Sequence, residues 1–143
     1  SILGSESGDL WKRDPAELVE DLENCLKVYG AILDQEDLAY PLNNRIHFLK
    51  GLTLEQLHQP AKALDSYYRV INGENLKEGE AISEWKWYYD CGFSALKLLK
   101  DGKRWRAAFG VGRTLQLSGG PRAKEAKEQA DDIQLRHMIW DKE

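Results

Sequence analysis

An all-helical protein is predicted by three features of this sequence. Apolar residues recur at three- and four-residue steps in six successive segments, which is the spacing that places them on one face of an α-helix. Proline stands at the start of several segments and glycine follows several of them, as is typical of helix ends. No segment has the sustained apolar and polar alternation of a half-buried strand. We therefore expect about six helices and no sheet.

The first helical segment begins at Asp14, which can cap a helix, followed by Pro15, which favours the first helical position. A first helix is expected over roughly 15–34, where one face stays apolar for about five turns. Residues 1–13 lack such a pattern, and we expect them to form a flexible leader. The apolar face of the helix carries Leu18, Leu22, Cys25 or Leu26, Tyr29 and Leu33.

The second and third segments predict a helical hairpin. One helix begins at Pro41 and stops at 58–60, and the next opens at Pro60 and ends at Asn72-Gly73, where glycine can adopt the left-handed conformation of a C-cap. Because the turn between them is short, the two helices are expected to be antiparallel. Their apolar faces consist of Leu42, Ile46, Leu49, Leu52 or Thr53 and Leu57 in the first and of Ala63, Leu64, Tyr67, Val70 and Ile71 in the second.

A polar linker at 74–80 separates this hairpin from a second one. A fourth helix is expected from Ile82 to Asp101, and a fifth from Trp105 to the glycines at 119–120. Since the turn between these two patterns is again short, they form a second antiparallel hairpin.

The sixth segment opens at Pro121 and extends to Trp140, with one apolar side and one charged side. That division is typical of the helix that closes the end of a stack of hairpins. A chain of 143 residues suits one compact core. We therefore expect residues 14–143 to form a single helical domain.

The hairpin at residues 46–70 resembles a tetratricopeptide repeat (TPR), in which small and aromatic residues recur at fixed spacings in two antiparallel helices. Gly51 takes the glycine position that lets the helices approach, Ala63 follows twelve residues later at the closest crossing, and Tyr67 follows four after that. The departures are His47, Lys50, Leu54 and Val70, which replace the tryptophan, leucine, aromatic and alanine of the pattern.

The second hairpin fits the same pattern in halves. Its first helix matches, but the alanine of its second helix, Ala107 or Ala108, lies fifteen or sixteen residues beyond Gly92 instead of twelve. The excess is about one helical turn, which keeps the same face inward and predicts a longer first helix. The matching positions of that first helix are Tyr88, Cys91, Gly92 and Ala95.

From about residue 40 to residue 140 the sequence is similar to the C-terminal end of bacterial TPR proteins. This resemblance implies a short right-handed solenoid of stacked hairpins that forms part of a longer protein, and it points to the bacterial periplasm or cell envelope. It also implies a non-enzymatic scaffold for protein–protein interaction. In such a stack the first helices line a concave groove that holds a peptide or a helix of a partner protein.

The resemblance also assigns residues to the groove. Its aromatic side chains are expected to provide apolar contact, and Arg45 and Lys86 to bind carboxylates. The carboxylate clamp of chaperone-binding TPR proteins needs a basic residue where Phe48 stands, so a chaperone tail is not the expected partner. The groove positions are Arg45, Phe48, Leu52 and Glu55 in the second helix and Lys86, Tyr89 and Phe93 in the fourth.

An alternative function is that of a structural segment in a larger TPR array. Its faces would then be covered by the rest of its own chain or by a second copy, so the isolated segment would self-associate. The fourth helix leaves a related choice open. Trp85, Trp87, Tyr88 and Tyr89 must spread around most of its circumference, so either neighbouring helices wrap it, which we favour, or some of these side chains lie in the groove.

The charge is unevenly distributed along the chain, although the net charge is only −4. Residues 1–40 contain ten acidic and three basic residues, whereas residues 97–127 contain nine basic and two acidic ones. The basic residues alternate with apolar ones, which favours the solvated faces of amphipathic helices over a nucleic-acid site. Charges interrupt every apolar run, so no membrane-spanning helix is expected.

No catalytic centre, metal site or cofactor is expected from the motifs. His47, His58 and His137 are far apart and lack the spacing of metal ligands. Cys25 and Cys91 are too distant for a CxxC site and occupy apolar positions of helical patterns, so we expect two buried free thiols, with a disulfide as the alternative.

Overall fold

The computed structural model describes residues 14–137 and residue 139, and all of the regular structure in this part of the chain is helical. The prediction of six helices without strands is confirmed for these residues. The predicted leader at 1–13 and the last residue of the predicted sixth helix, Trp140, lie outside them. The helices are α1 (Pro15–Leu33), α2 (Tyr40–Gln56), α3 (Pro60–Ile71), α4 (Trp85–Asp101), α5 (Trp105–Leu117) and α6 (Ala123–His137).

Helix starts follow the local sequence at some positions and depart from it at others. The side chain of Asp14 accepts a hydrogen bond from the amide of Ala16 at 3.1 Å, as a capping residue does. The prediction that α4 begins at Ile82 is wrong, because α4 begins at Trp85, directly after a residue in the left-handed conformation, Glu84. The sixth helix likewise begins at Ala123, two residues beyond the predicted Pro121.

Three of the turns contain a residue other than glycine at positive φ. His58, Glu84 and Lys103 have φ angles of 58°, 48° and 57°, and each stands one or two residues before the next helix begins. A side chain in this region costs about 1 kcal/mol or more relative to glycine, because its Cβ approaches the backbone. The turns are therefore shaped by the packing of the helices that they join.

The helices pack in chain order, each on the next, and α2 also packs on α4. The hydrophobic core is built mainly from α2 to α6 together with Ile139. By contrast, no residue of α1 is buried, although Leu26 touches the core. The largest apolar side chains that are fully buried are Tyr67, Tyr89, Leu96, Leu99, Leu115, Ile133 and Val70.

In the first hairpin, the ring of Tyr67 in α3 packs directly on a glycine of α2. A Cβ on Gly51 would lie 2.2 Å from Cε1 of Tyr67, so only glycine leaves room for that ring. Ala63 and Tyr67 are both completely buried there. The hydroxyl of Tyr67 donates a hydrogen bond of 2.5 Å to Glu55 of α2, which fixes the ring against its glycine. Glycine at position 51 is therefore required for this packing of α3 on α2.

The second hairpin crosses in a similar way, with Gly92 beneath Leu115. Ala108 is completely buried, so the alanine of this hairpin is the one sixteen residues beyond Gly92. Nine residues of α4 follow its glycine, against five in α2, although both helices have 17 residues. The prediction of a longer first helix is therefore wrong, because the extra residues after the glycine are offset by a later start of α4.

The two cysteines have different surroundings. Both are free thiols, but Cys91 is buried and Cys25 is exposed, so the prediction of two buried thiols is wrong for Cys25. The Sγ of Cys91 lies 3.9 Å from the carbonyl oxygen of Asn44, which ties α4 to α2. Burial raises the pKa of the Cys91 thiol well above its usual value. Only Cys25 is therefore open to reagents in the folded protein.

Candidate functional site

An aromatic ring flanked by two cations lies where α2 meets α4. The half-buried ring of Trp87 has the guanidinium carbon of Arg45 at 5.4 Å from its centroid and the Nζ of Lys86 at 4.8 Å. Both distances are within the range of cation–π attraction. The ring of Phe48 is 6.0 Å from that of Trp87, centroid to centroid. We call Arg45, Phe48, Lys86 and Trp87 the Trp87 cluster.

Local sequence explains how this cluster is held. Arg45 and Phe48 are three residues apart on α2 and so share one side of that helix. Lys86 and Trp87 belong to the first turn of α4. Lys86 also forms an ion pair of 2.9 Å with Asp90, one turn further along, which limits where its ammonium group can go.

A shallow pocket of 290 Å³ adjoins the Trp87 cluster between the N-terminal ends of α2 and α4. Its wall combines apolar side chains with one cation and one carboxylate. Leu42 exposes 40% of its surface and lines this pocket. The pocket is lined by Ala39, Pro41, Leu42, Arg45, Glu84 and Trp87.

Three of the seven predicted groove residues meet in this cluster, namely Arg45, Phe48 and Lys86. Leu52 and Glu55 lie further along α2, where Leu52 is exposed and Glu55 accepts the hydrogen bond from Tyr67. Glu55 is therefore already engaged within the hairpin.

Tyr89 is not an open groove residue, contrary to the expectation. It exposes 1% of its surface and packs between the rings of Trp85 and Phe93, with centroids 5.5 and 5.9 Å away. It lies on the side of α4 that faces the turn before α6, close to Gly120. Replacing Tyr89 would therefore remove core packing.

Phe93 contributes to a second surface, between α4 and α6. The guanidinium carbon of Arg122 lies 4.1 Å from the centroid of the Phe93 ring, and Arg122 also binds Glu125 through two hydrogen bonds of 3.1 and 2.8 Å. This interaction lowers the pKa of the Glu125 carboxyl group. A pocket of 310 Å³ lies here, lined by Phe93, Lys97, Lys100, Asp101, Arg122, Glu125 and Gln129.

Trp87 was missed because equivalent positions of two neighbouring helices do not face each other. Phe48 and Tyr89 both precede their glycine by three residues, but Phe48 points from α2 towards α4 and meets the opposite flank of that helix. That flank carries Trp87 and, one turn later, Cys91. The available signal was the i, i+4 spacing of these two residues on the side of α4 that must contact α2.

The basic segment at 97–127 is partly neutralised within the fold. Lys97 pairs with Asp101, Arg122 with Glu125, and both Arg113 and Lys127 with Asp131. Lys127 and, to a smaller extent, Arg113 lower the pKa of the Asp131 carboxyl group through these bonds. This pairing agrees with the interpretation of the segment as charged helix faces.

Within residues 14–137 and 139, no three histidine, cysteine or acidic side chains are grouped so that they could hold a metal ion. In the same part of the chain, no helix combines the length and apolar character needed to cross a membrane.

Comparisons with models of known protein families, with curated proteins and with solved structures find no match to this chain.

Proposed function

We propose that this protein is a non-enzymatic, TPR-like scaffold that binds an acidic peptide segment of a partner protein across α2 and α4. The observation that carries the proposal is the Trp87 cluster, in which two cations flank a half-buried indole beside a pocket with an exposed leucine. Such a surface combines the aromatic anchor and the charged groups that peptide-binding sites use.

The order of helix packing supports a TPR-like arrangement. In a stack of helical hairpins, the first helix of each hairpin contacts both its own partner and the first helix of the next hairpin. Here α2 packs on α3 and on α4, and α4 packs on α5. The Trp87 cluster and the pocket that contains Phe93 then lie on the two sides of α4 that face α2 and α6.

The chemistry of the cluster favours an acidic ligand with at least one apolar side chain. A guanidinium stacked on an aromatic ring keeps its N–H groups at the edge, where a carboxylate can accept two hydrogen bonds. An apolar side chain of the peptide would enter the 290 Å³ pocket and cover Leu42. Glu84 at the rim would disfavour a second carboxylate there, which limits the ligand to one orientation.

The test is a selection of peptides from a random library displayed on phage, with the protein immobilised through its N-terminus. Peptides with an acidic residue next to an apolar one are expected to be enriched. The double variant Arg45→Glu, Lys86→Glu should select basic peptides instead, because the charge of the surface is reversed while both positions stay exposed.

Affinity measurements with a selected peptide locate the site. Phe48→Ala or Trp87→Ala should each weaken binding by about fivefold or more, equivalent to about 1 kcal/mol. Leu135→Ala, at an exposed position of α6, is the matched control and should leave affinity unchanged. Peptides that bind the charge-reversed variant as well as the natural protein would exclude the Trp87 cluster as the binding surface.

A further inference from the structure

The helix α1 is the only one of the six described helices that has no buried residue. It packs mainly on α2, and its contact with the hydrophobic core is made by Leu26. Leu18 and Val28 expose 48% and 57% of their surfaces, and Cys25 is exposed as well. One side of α1 therefore remains open to another molecule.

The apolar residues on this side of α1 form a continuous stripe. Leu18, Leu22, Cys25 and Val28 follow one another at steps of four, three and three residues, so each lies one turn after the last along the same side of the helix. We call these four residues the α1 stripe. It is about 15 Å long, at 1.5 Å of rise per residue. A straight apolar stripe of this kind matches the face of another helix.

Carboxylates lie at both ends of the α1 stripe. Glu17 and Glu20 stand near the start of α1, Asp34 and Glu36 follow its last residue, and all four are exposed. Within the part of the chain that the structure describes, neither Glu17 nor Glu20 takes part in an ion pair. Residues 14–37 contain eight acidic residues and one basic residue. The surroundings of the stripe therefore attract cationic groups.

We propose that α1 docks an amphipathic helix of a partner protein, with apolar residues along one face of that helix and lysine or arginine at both ends of the face. The apolar residues of the two helices would interdigitate along the α1 stripe, because both recur at steps of three and four. The cations of the partner would pair with the carboxylates at the ends, which fixes the position of the partner along α1.

The charge of α1 disfavours other occupants. A second α1 would bring acidic residues against acidic residues, and a nucleic acid or an anionic lipid surface would bring phosphates against them. The α1 stripe also lies on a different helix from the Trp87 cluster, and neither Leu18 nor Val28 lines the pocket beside that cluster. Helix docking on α1 and peptide binding at the Trp87 cluster can thus be tested separately.

Fluorescence anisotropy of a labelled synthetic helix, titrated with the full chain, tests the proposal. The probe is a peptide of about 21 residues with leucine at heptad spacing and lysine at the flanking positions. A matched peptide has glutamine in place of every lysine. The lysine peptide should bind with a Kd of about 100 µM or less in low salt, and the glutamine peptide about tenfold more weakly or worse. Equal affinities would overturn the proposal.

Two double variants test whether the apolar contact is made by α1. Leu18→Ala with Val28→Ala shortens exposed side chains and keeps good helix formers, so circular dichroism should be unchanged while the lysine peptide binds about fivefold more weakly or worse. Leu117→Ala with Leu135→Ala makes a similar change at exposed positions of α5 and α6 and should leave the affinity as it is. Full affinity in the first double variant would exclude the α1 stripe.

A second comparison tests the charges of α1. Glu17→Gln with Glu20→Gln should weaken binding of the lysine peptide about threefold or more, since two ion pairs at the surface are lost. Glu74→Gln with Glu78→Gln makes the same change of net charge at exposed positions of the linker and should have a smaller effect. Equal losses would mean that the peptide responds to net charge alone, which would contradict docking on α1.

Exposed Cys25 reports directly on whether the α1 stripe is covered. Its alkylation by iodoacetamide should slow several-fold when the lysine peptide saturates the chain, and the buried Cys91 should not react. Unchanged alkylation at saturation would place the peptide elsewhere and overturn the proposal. Slower alkylation when the chain alone is concentrated would assign the stripe to a second copy, and the proposal would again be wrong.

Discussion

The two hairpins close in different ways at the same point of their crossings. In α2–α3 the space left by the missing side chain of Gly51, which we call the glycine notch, is filled by the ring of Tyr67. In α4–α5 the notch at Gly92 is filled by Leu115, whose Cδ2 would lie 2.3 Å from a Cβ on that glycine. By spacing from the buried alanine, the counterpart of Tyr67 in the second hairpin is Gly112. A Cβ there would lie 2.9 Å from the Cβ of Ala130 in α6.

This difference shows how one hairpin makes room for the next helix. A ring at position 112 would block the approach of α6, so glycine occupies the position and Leu115, one turn later, fills the notch instead. The first hairpin keeps a rigid ring that is fixed by a hydrogen bond to Glu55. The crossing of α2 and α3 should therefore tolerate change less well than the crossing of α4 and α5.

The largest effect is expected for Gly51→Ala, which should lower the free energy of unfolding by about 3 kcal/mol. The added methyl group would overlap three atoms of the Tyr67 ring, which is completely buried and hydrogen-bonded and so cannot rotate away. Urea unfolding followed by circular dichroism measures the change.

Gly110→Ala is the matched control, because this helical glycine has open space around it. Alanine should raise the free energy of unfolding by about 0.5–1 kcal/mol through its greater helix propensity. Equal destabilisation by both substitutions would mean that the notch does not account for the sensitivity of Gly51.

Acidification is expected to lower the free energy of unfolding by an intermediate amount, and the loss should arise from His47 in the first hairpin. His47 and Tyr88 both stand four residues before their glycine, but only His47 titrates in the acidic range. Burial, Lys50 and Arg69 lower the pKa of His47 to about 4, while Asp65 acts in the opposite direction.

The sign follows from the unfolded chain, where histidine has a pKa of about 6.5 and gains its proton first. The stabilisation of the fold by neutral His47 is fully present above a pH of about 6.5 and is lost as the pH falls towards 4. Between about pH 7.5 and pH 5 the loss should be about 2 kcal/mol. The variant His47→Gln should lose much less over the same interval, and an unchanged loss in that variant would assign the effect to other groups.

The smallest effect is expected for Gly92→Ala, at about 1 kcal/mol of destabilisation. Its methyl group would meet the methyl carbons of Leu115, which is also completely buried but is held by no hydrogen bond and can therefore shift at a lower cost than the Tyr67 ring. Urea unfolding under the conditions used for Gly51→Ala gives the comparison. A larger loss for Gly92→Ala than for Gly51→Ala would reverse the ranking of the two crossings.

The sequence predicted the helices well because proline, glycine and apolar spacing are local signals. The first hairpin was predicted more closely than the second, since Gly51, Ala63 and Tyr67 stand at fixed separations, whereas spacing left the second hairpin open between Ala107 and Ala108. Helix starts that depend on tertiary packing were missed. The start of α4 follows the left-handed backbone of Glu84, and no local preference of glutamate predicts that conformation.

The candidate site was predictable in part. Arg45, Phe48 and Lys86 lie together as expected, but they meet around Trp87, which was not among the predicted groove residues, and Tyr89, which was, is buried. The flank of α4 that meets α2 depends on how the two helices are rotated about their axes, and spacing within one helix does not fix that rotation. The exposure of Cys25 was missed for the same reason, since helical periodicity does not show whether a neighbour covers a face.

The left-handed residues in the turns have a consequence for how this protein can change over generations. His58 and Lys103 are exposed, and glycine at either position would relieve about 1 kcal/mol of backbone strain. Together these gains exceed the cost that we expect for Gly92→Ala. A chain that gained this stability through glycine at both positions could then accept a destabilising substitution around Trp87 and still fold. That substitution could give the surface a new binding preference.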